Sequence, residues 1–154
     1  MEEKNQGSII LKVVLGIAAA AATVFGAVTG IMFALLRRNI KKLEGVETQN
    51  NVVTSVGLGK NDTIIAPETD NAFLSCVAGK MTISWSEKPA KNVNLDLTCI
   101  LGKVTVIIPD GVRVSLEMDA PNAIENIEEA QLPEDAPVVT ITGKSTLGKV
   151  SFLR

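Results

Sequence analysis

The pattern of apolar and polar positions divides the chain into two parts. Residues 13–36 contain no charged side chain, whereas from residue 52 onward apolar and polar residues alternate in short runs. As a helix, the 24 uncharged residues would be about 36 Å long, enough to cross a hydrocarbon core of roughly 30 Å. This stretch predicts a single transmembrane helix, with a short tail over 1–12 and a polar linker over 37–51. A cleaved signal peptide, with a shorter apolar region of about 7–15 residues, is the alternative.

Basic residues at the two ends of the apolar stretch predict its orientation. Lys4 and Lys12 precede it, and a larger basic flank follows it, made of Arg37, Arg38, Lys41 and Lys42. Basic residues next to a membrane span stay in the cytoplasm. The expected location is therefore the cell membrane, single-pass, with the β domain in the cytoplasm and the short tail outside.

Small residues recur every four positions along the apolar stretch, at Ala18, Ala22, Gly26, Gly30 and Ala34. Small side chains let two membrane helices approach closely, as in the G-x-x-x-G pattern. The row predicts association of two copies through this helix. The alternative is that Ala and Gly are simply frequent in membrane helices.

The second part, over 52–154, repeats itself with a period of 23 residues. Residues 74–83 align with residues 97–106, and residues 147–152 match them again two periods later. The intervening copy, around Asn122 to Ala130, is degenerate and has Glu125 at the position of the repeated glycine. A fixed period of this length is the signature of stacked repeats that share one core.

Strict alternation inside each repeat predicts two short strands with one buried face. Between the strands lie the corner glycines Gly79, Gly102 and Gly148, which predict tight corners with positive φ. The fold class is thus an all-β domain, a β-solenoid with stacked repeats, with an antiparallel β-meander as the alternative. The last strand, over 150–153, is expected to lie at an exposed edge.

Composition lowers the expectation of catalysis and of nucleic-acid binding. The chain has 15 Lys and Arg against 17 Asp and Glu, two Cys, and neither His nor Tyr. The commonest general base and the commonest zinc ligand are therefore missing. We predict a non-enzymatic protein without a cofactor, a metal site, a small-molecule substrate or a nucleic-acid partner.

Cys76 and Cys99 hold the same position in adjacent repeats, on the apolar side of the alternation. Free Cys behaves as a small buried hydrophobe, and burial is the favoured interpretation. Stacked repeats would also bring the two within disulfide range, which leaves a redox switch open. A nucleophilic role would lack a His to activate the thiol.

Two sets of charged residues form a possible interaction surface. Lys80, Lys103 and Lys149 follow the corner glycines at the repeat period, and acidic residues cluster where the repeat degenerates, at Glu125, Glu128, Glu129, Glu134 and Asp135. Solvated turns and an ordinary acidic loop are the alternatives. A phosphate-loop interpretation of 142–146 fails because Val138 stands where the first glycine is required, and 57–60 fails on the same grounds.

Two segments, Cys99 to Val114 and Gly143 to Arg154, resemble the C-terminal domain of LiaF-like proteins. These are the cell-wall-active antibiotics response proteins of Gram-positive bacteria, and they are related to a β-strand-repeat family of adhesin type. The resemblance implies an accessory of envelope-stress signalling that contacts a membrane protein such as a sensor kinase. We therefore predict a membrane-anchored, non-enzymatic, protein-binding module. The alternative is a bactofilin-like scaffold of end-to-end stacked solenoids.

Overall fold

The computed structural model describes residues 23–42, 50–127 and 131–154. Besides one helix, α1 (residues 23–42), these residues form two five-stranded sheets. The strands are β1 (Asn51–Val56), β2 (Lys60–Ile65), β3 (Asn71–Cys76), β4 (Lys80–Trp85), β5 (Val93–Cys99), β6 (Lys103–Ile107), β7 (Arg113–Asp119), β8 (Ile124–Asn126), β9 (Val138–Ser145) and β10 (Lys149–Leu153). Odd-numbered strands form the first sheet and even-numbered strands the second.

Every paired strand of the two sheets runs parallel to its neighbour. One strand of the first sheet and the next strand of the second make one rung, and the rungs stack in register. Lys80 pairs with Lys103, and Lys103 with Lys149, as the repeat requires. The predicted β-solenoid is confirmed, and the antiparallel meander is excluded because its strands would alternate in direction.

The spatial order of the rungs differs from their order along the chain. The first sheet has the order β1-β3-β5-β9-β7 and the second β2-β4-β6-β10-β8. The fifth rung (β9 and β10) therefore lies between the third and the fourth. The prediction that the last strand forms an exposed edge is wrong, because β10 is paired on both sides, with β6 and with β8.

The corner of the fourth rung is built differently from the other corners. At the other corners the backbone bonds continue from rung to rung: Leu101 N–H donates to Val77 at 2.7 Å, and Leu147 N–H to Ile100 at 2.7 Å. The fourth corner contains Pro121, which has no N–H, and closes instead through its own turn, Ala123 N–H to Ala120 at 3.1 Å.

The degenerate copy is also placed differently from the prediction. Glu125 lies in β8 and pairs with Phe152 rather than with the corner glycine Gly148. The register of this copy is shifted because its corner is shorter: Asp119 pairs with Lys144, whereas Ile124 already pairs with Ser151. A fixed period of 23 therefore does not extend through the fourth rung.

The core lies between the two sheets and is built from the inward-facing rows of the rungs. One such row joins Ala72, Leu95 and Ile141, all fully buried. The opposite sheet contributes the row Ile83, Val106 and Phe152. Each rung is too small to bury its own apolar face, so the core exists only in the stack.

The corner glycines are required for a reason other than the predicted one. Gly79, Gly102 and Gly148 do not have positive φ; among the described residues, positive φ occurs at Gly59, Gly111 and Gly143. A Cβ at Gly102 would lie 2.5 Å from the carbonyl oxygen of Gly79 and 2.4 Å from the sulfur of Cys76. Close approach of successive rungs, not backbone strain, therefore requires glycine at the corners.

Helix α1 lies on the outer face of the first sheet. The side-chain amide of Asn39 donates to Ser75 Oγ at 2.9 Å in a buried hydrogen bond, and Arg38 donates to Thr98 Oγ1 at 2.9 Å. Lys42 forms an ion pair with Asp96. The polar contacts of this helix thus point toward the sheet.

Within the described ranges, no helix combines the length and the apolar character that crossing a membrane requires. This finding contradicts the transmembrane helix predicted over 13–36, together with the single-pass membrane location and the sidedness inferred from it. Residues 13–22 of that stretch lie outside the described residues. The basic flank, Arg37, Arg38, Lys41 and Lys42, belongs to the last turns of α1, where two of its members contact the first sheet.

Thr63 is the polar member of an otherwise apolar inner row. It pairs with Ile83, is 8% exposed, and its hydroxyl has no hydrogen-bond partner among the described residues. Burying an unpaired hydroxyl costs about 1–3 kcal/mol. We expect Thr63→Val to raise the free energy of unfolding by about 1 kcal/mol, measured by thermal or urea unfolding. The matched variant Thr105→Val, on the outer face, should change the free energy of unfolding by no more than about 0.5 kcal/mol. A lower free energy of unfolding for Thr63→Val would contradict the buried, unpaired placement of this hydroxyl.

Candidate functional site

The second sheet carries a straight row of lysines on its outer face, which we name the lysine row: Lys60, Lys80, Lys103 and Lys149. Each is the first residue of its strand, and each pairs in register with the next. Neighbouring parallel strands lie about 4.8 Å apart, so the row extends over roughly 14 Å. All four side chains are exposed. The repeat therefore places four ammonium groups in one line.

The charge of the lysine row is largely uncompensated. Lys60 Nζ lies 3.1 Å from Asp62 Oδ2. Among the residues that the structure describes, Lys80, Lys103 and Lys149 have no carboxylate within ion-pair distance. Two unit charges at about 4 Å repel by about 1 kcal/mol in water. An anion placed along the row would relieve this repulsion.

A row of hydroxyl groups lies beside the lysine row. Thr82, Thr105 and Ser151 pair in register two residues further along their strands, and Asp62 holds the same position in the first rung. Hydrogen bonds from Lys60 and from Thr82 lower the pKa of the Asp62 carboxyl. We name the lysine row and this hydroxyl row together the lysine face.

Exposed leucines border the lysine face on the side of the corners. Leu58, Leu101 and Leu147 are 50%, 58% and 71% exposed, each two residues before a lysine of the row. Scattered exposed apolar side chains are ordinary on protein surfaces. Here the same side chain recurs at the same position of three rungs, so the leucines form an apolar border along one side of the cations.

Cys76 and Cys99 are both free thiols and fully buried, in register on β3 and β5. Each sulfur donates to the carbonyl of the glycine three residues later, at 3.3 Å to Gly79 and 3.4 Å to Gly102. Ser145 continues the row and makes the same contact, at 3.1 Å to the carbonyl of Gly148. The three side chains therefore share one role, closing the corner of their rung.

The two thiols lie side by side in register, and their contact shifts their pKa values in opposite directions. Contact with Cys99, together with burial, raises the pKa of Cys76. Contact with Cys76 and with Ser145 lowers the pKa of Cys99, against the opposing effect of burial.

The other predicted site residues do not converge on one place. Gly26, Gly30 and Ala34 lie on the exposed side of α1, where added side chains at the two glycines would meet open space. Ala18 and Ala22 lie outside the described residues, as do Glu128 and Glu129. Glu125 is exposed in the end rung, and Glu134 and Asp135 are exposed near the start of β9. None of the described acidic residues of this set forms an ion pair with the lysine row.

Gly143, which belongs to the rejected phosphate-loop pattern, lies inside strand β9 rather than before a helix. Over residues 23–42, 50–127 and 131–154, no group of three or more His, Cys, Asp or Glu side chains could hold a metal ion. In the described part, the glycine of the phosphate-loop pattern is therefore a strand residue, and the acidic and cysteine side chains do not form a cluster of metal ligands.

Two features escaped the sequence pattern. The first rung was not recognised as a copy because it aligns with the second at an offset of 20 instead of 23, as Lys60 with Lys80 and Val56 with Cys76. The Gly59-Lys60 dipeptide was the available signal. The second is a row of asparagines, in which Asn71 donates to Asn51 at 3.0 Å and Asn94 to Asn71 at 3.2 Å.

Comparison with known proteins supports the fold at a distance. No protein-family model matches the chain, and no curated protein matches it. Among solved structures, a putative cell adhesion protein from Clostridium sporogenes is similar, with a TM-score of 0.50 and 15% sequence identity. The match covers 66% of this chain and 53% of that protein, so the chain spans about half of its length. At this identity the likeness concerns the fold alone, and the resemblance to LiaF-like proteins stays a prediction.

Proposed function

We propose that this protein is a non-enzymatic binding module that docks on another macromolecule through its lysine face. The observation that carries the proposal is the in-register lysine row, three of whose ammonium groups have no carboxylate partner among the described residues. The backbone ladder fixes the spacing of the four lysine Cα atoms, so only their side chains have to be ordered on binding. A regular, one-dimensional array of cations is better suited to docking than to catalysis.

Two further observations support a binding role. The described charged groups do not assemble an acid, a base and a nucleophile, and the two thiols are buried among corner contacts. The similar solved structure is titled a putative cell adhesion protein, and adhesion is a binding function. The resemblance to LiaF-like proteins points in the same direction, toward an accessory of envelope-stress sensing with a partner, such as a sensor kinase, in the bacterial envelope.

The scaffold alternative has lost the observation on which it depended. That hypothesis required the last strand to offer an exposed edge for end-to-end stacking, and β10 is instead paired on both sides. The edges of the two sheets are formed instead by β1 and β7 and by β2 and β8.

The test is binding of the full chain to envelopes isolated from the bacterium that produces it, followed by sedimentation. We expect Lys80→Glu/Lys103→Glu to weaken binding about tenfold or more, since each basic residue near an anionic surface contributes about 1 kcal/mol. The control, Lys41→Glu/Lys88→Glu, makes the same change in net charge at exposed lysines away from the row. Equal binding by the two double variants would overturn the proposal.

A further inference from the structure

We propose that the partner of the lysine face is a linear anionic polysaccharide, with a carboxylate or phosphate on its repeating units. This inference rests on the proposed docking function and names the class of partner. It starts from the shape of the site: the four cations lie in a line on the outer face of a parallel sheet, not around a cavity. A small anion can contact only one or two of these cations, whereas a polymer can contact several of them at once.

The spacing of the row favours a polymer by multivalency. Once one anionic group is held, the next is presented at high effective concentration to a cation about 4.8 or 9.6 Å away. Such linkage increases affinity by about 10²–10⁴-fold without any new type of contact. Lysine provides point charges on flexible stems, so the row does not require one fixed repeat length in its partner.

The neighbouring rows favour a sugar polymer over other polyanions. Thr82 and Thr105, both partly exposed, place hydroxyl groups beside the cations, and the Thr105 hydroxyl can both donate to and accept from sugar hydroxyls. Leu58, Leu101 and Leu147 border the other side with apolar surface. Single-stranded nucleic acid is held by aromatic side chains on which its bases stack, and none of the residues of these rows is aromatic.

The experiment measures binding of the full chain to polygalacturonate and to phosphomannan by calorimetry. We expect binding to one or both, which also tells carboxylate from phosphate, with free galacturonate at least 100-fold weaker per anionic group and no binding of neutral dextran. Lys80→Glu/Lys103→Glu should weaken polymer binding at least tenfold, and Lys41→Glu/Lys88→Glu should leave it within about twofold. The slope of log K against log salt should approach about −2, as for the three lysines without a carboxylate partner at about −0.7 each.

Several results would overturn the inference. Equal or tighter binding of poly-L-glutamate or of single-stranded DNA would assign the face to a protein or to a nucleic acid, and no binding of either polysaccharide would remove it. Unchanged binding by Lys80→Glu/Lys103→Glu would place the polymer elsewhere. Loss of envelope binding after the envelopes are digested with protease would refute the polysaccharide and leave the proposed docking function intact, so the two failures are distinguishable.

Discussion

Replacing Gly143 by alanine is expected to unfold the solenoid. A Cβ at this position would lie 1.9 Å from the carbonyl oxygen of Leu97, and φ is 124°, which side chains rarely adopt. Gly143 pairs with Leu97 on one side and Met118 on the other, so β9 cannot move away from one neighbour without pushing into the next. We expect the free energy of unfolding to fall by more than about 4 kcal/mol, which is comparable with the total stability of many domains.

The measurement is urea unfolding followed by far-UV circular dichroism, with Gly59→Ala as the control. Gly59 has a φ of 93° and nothing within 4 Å of the added Cβ. The free energy of unfolding of Gly59→Ala should therefore fall by only about 1–2 kcal/mol, because only the backbone conformation is unfavourable for alanine. If Gly143→Ala unfolded at the same midpoint as Gly59→Ala, β9 would not approach β5 as described.

Removing the last strand is expected to have the second large effect. A chain ending at Gly148 lacks Val150 and Phe152, which are 0% and 1% exposed, and lacks the strand that separates β6 from β8. Loss of one buried Phe side chain alone costs about 3–5 kcal/mol. The fourth rung would also lose its pairing in the second sheet. We therefore expect the truncated chain to lose cooperative unfolding, measured by thermal unfolding and amide hydrogen exchange.

A rung order that followed the chain would give a different result. In that case the truncation would remove one terminal strand, and the remaining rungs would unfold almost as before, as in other repeat proteins. A matched pair of proline variants separates the two orders. Ser151→Pro, in a strand paired on both sides, should be far more destabilising than Ile124→Pro, in the end strand opposite it. Equal effects would contradict the interior position of β10.

The inferences from sequence that succeeded concern features that repeat locally. Alternation identified Met81, Ile83, Leu95 and Leu97 as inward-facing, and all four are buried. The alignment of Lys80 with Lys103, read from the period alone, is the pairing in the second sheet. Side-chain direction in a strand follows from position along the strand. These features therefore require no knowledge of the rest of the fold.

Only part of the candidate site could be predicted from the sequence. Three lysines of the row were identified from the period, but Lys60 was missed because its rung is offset by 20 residues. The hydroxyl row was not recognised, since Thr82 and Thr105 look like ordinary outward-facing strand residues until the sheet places them beside the cations. The apolar stretch over 13–36 led to a transmembrane prediction because hydropathy does not report which surface a helix contacts.

The amino-acid sequence by itself determined that the second part of this protein is built from short, half-buried strands with a 23-residue period, because alternation and period are properties of neighbouring positions. The parallel pairing that makes these strands a stack of rungs came from the structure. Only the tertiary structure decided the order of the rungs, the close approach that requires glycine at Gly102 and Gly143, and the contact of α1 with the first sheet. These three features depend on which surfaces of distant segments pack against each other. A local sequence pattern describes only neighbouring positions and therefore does not predict them.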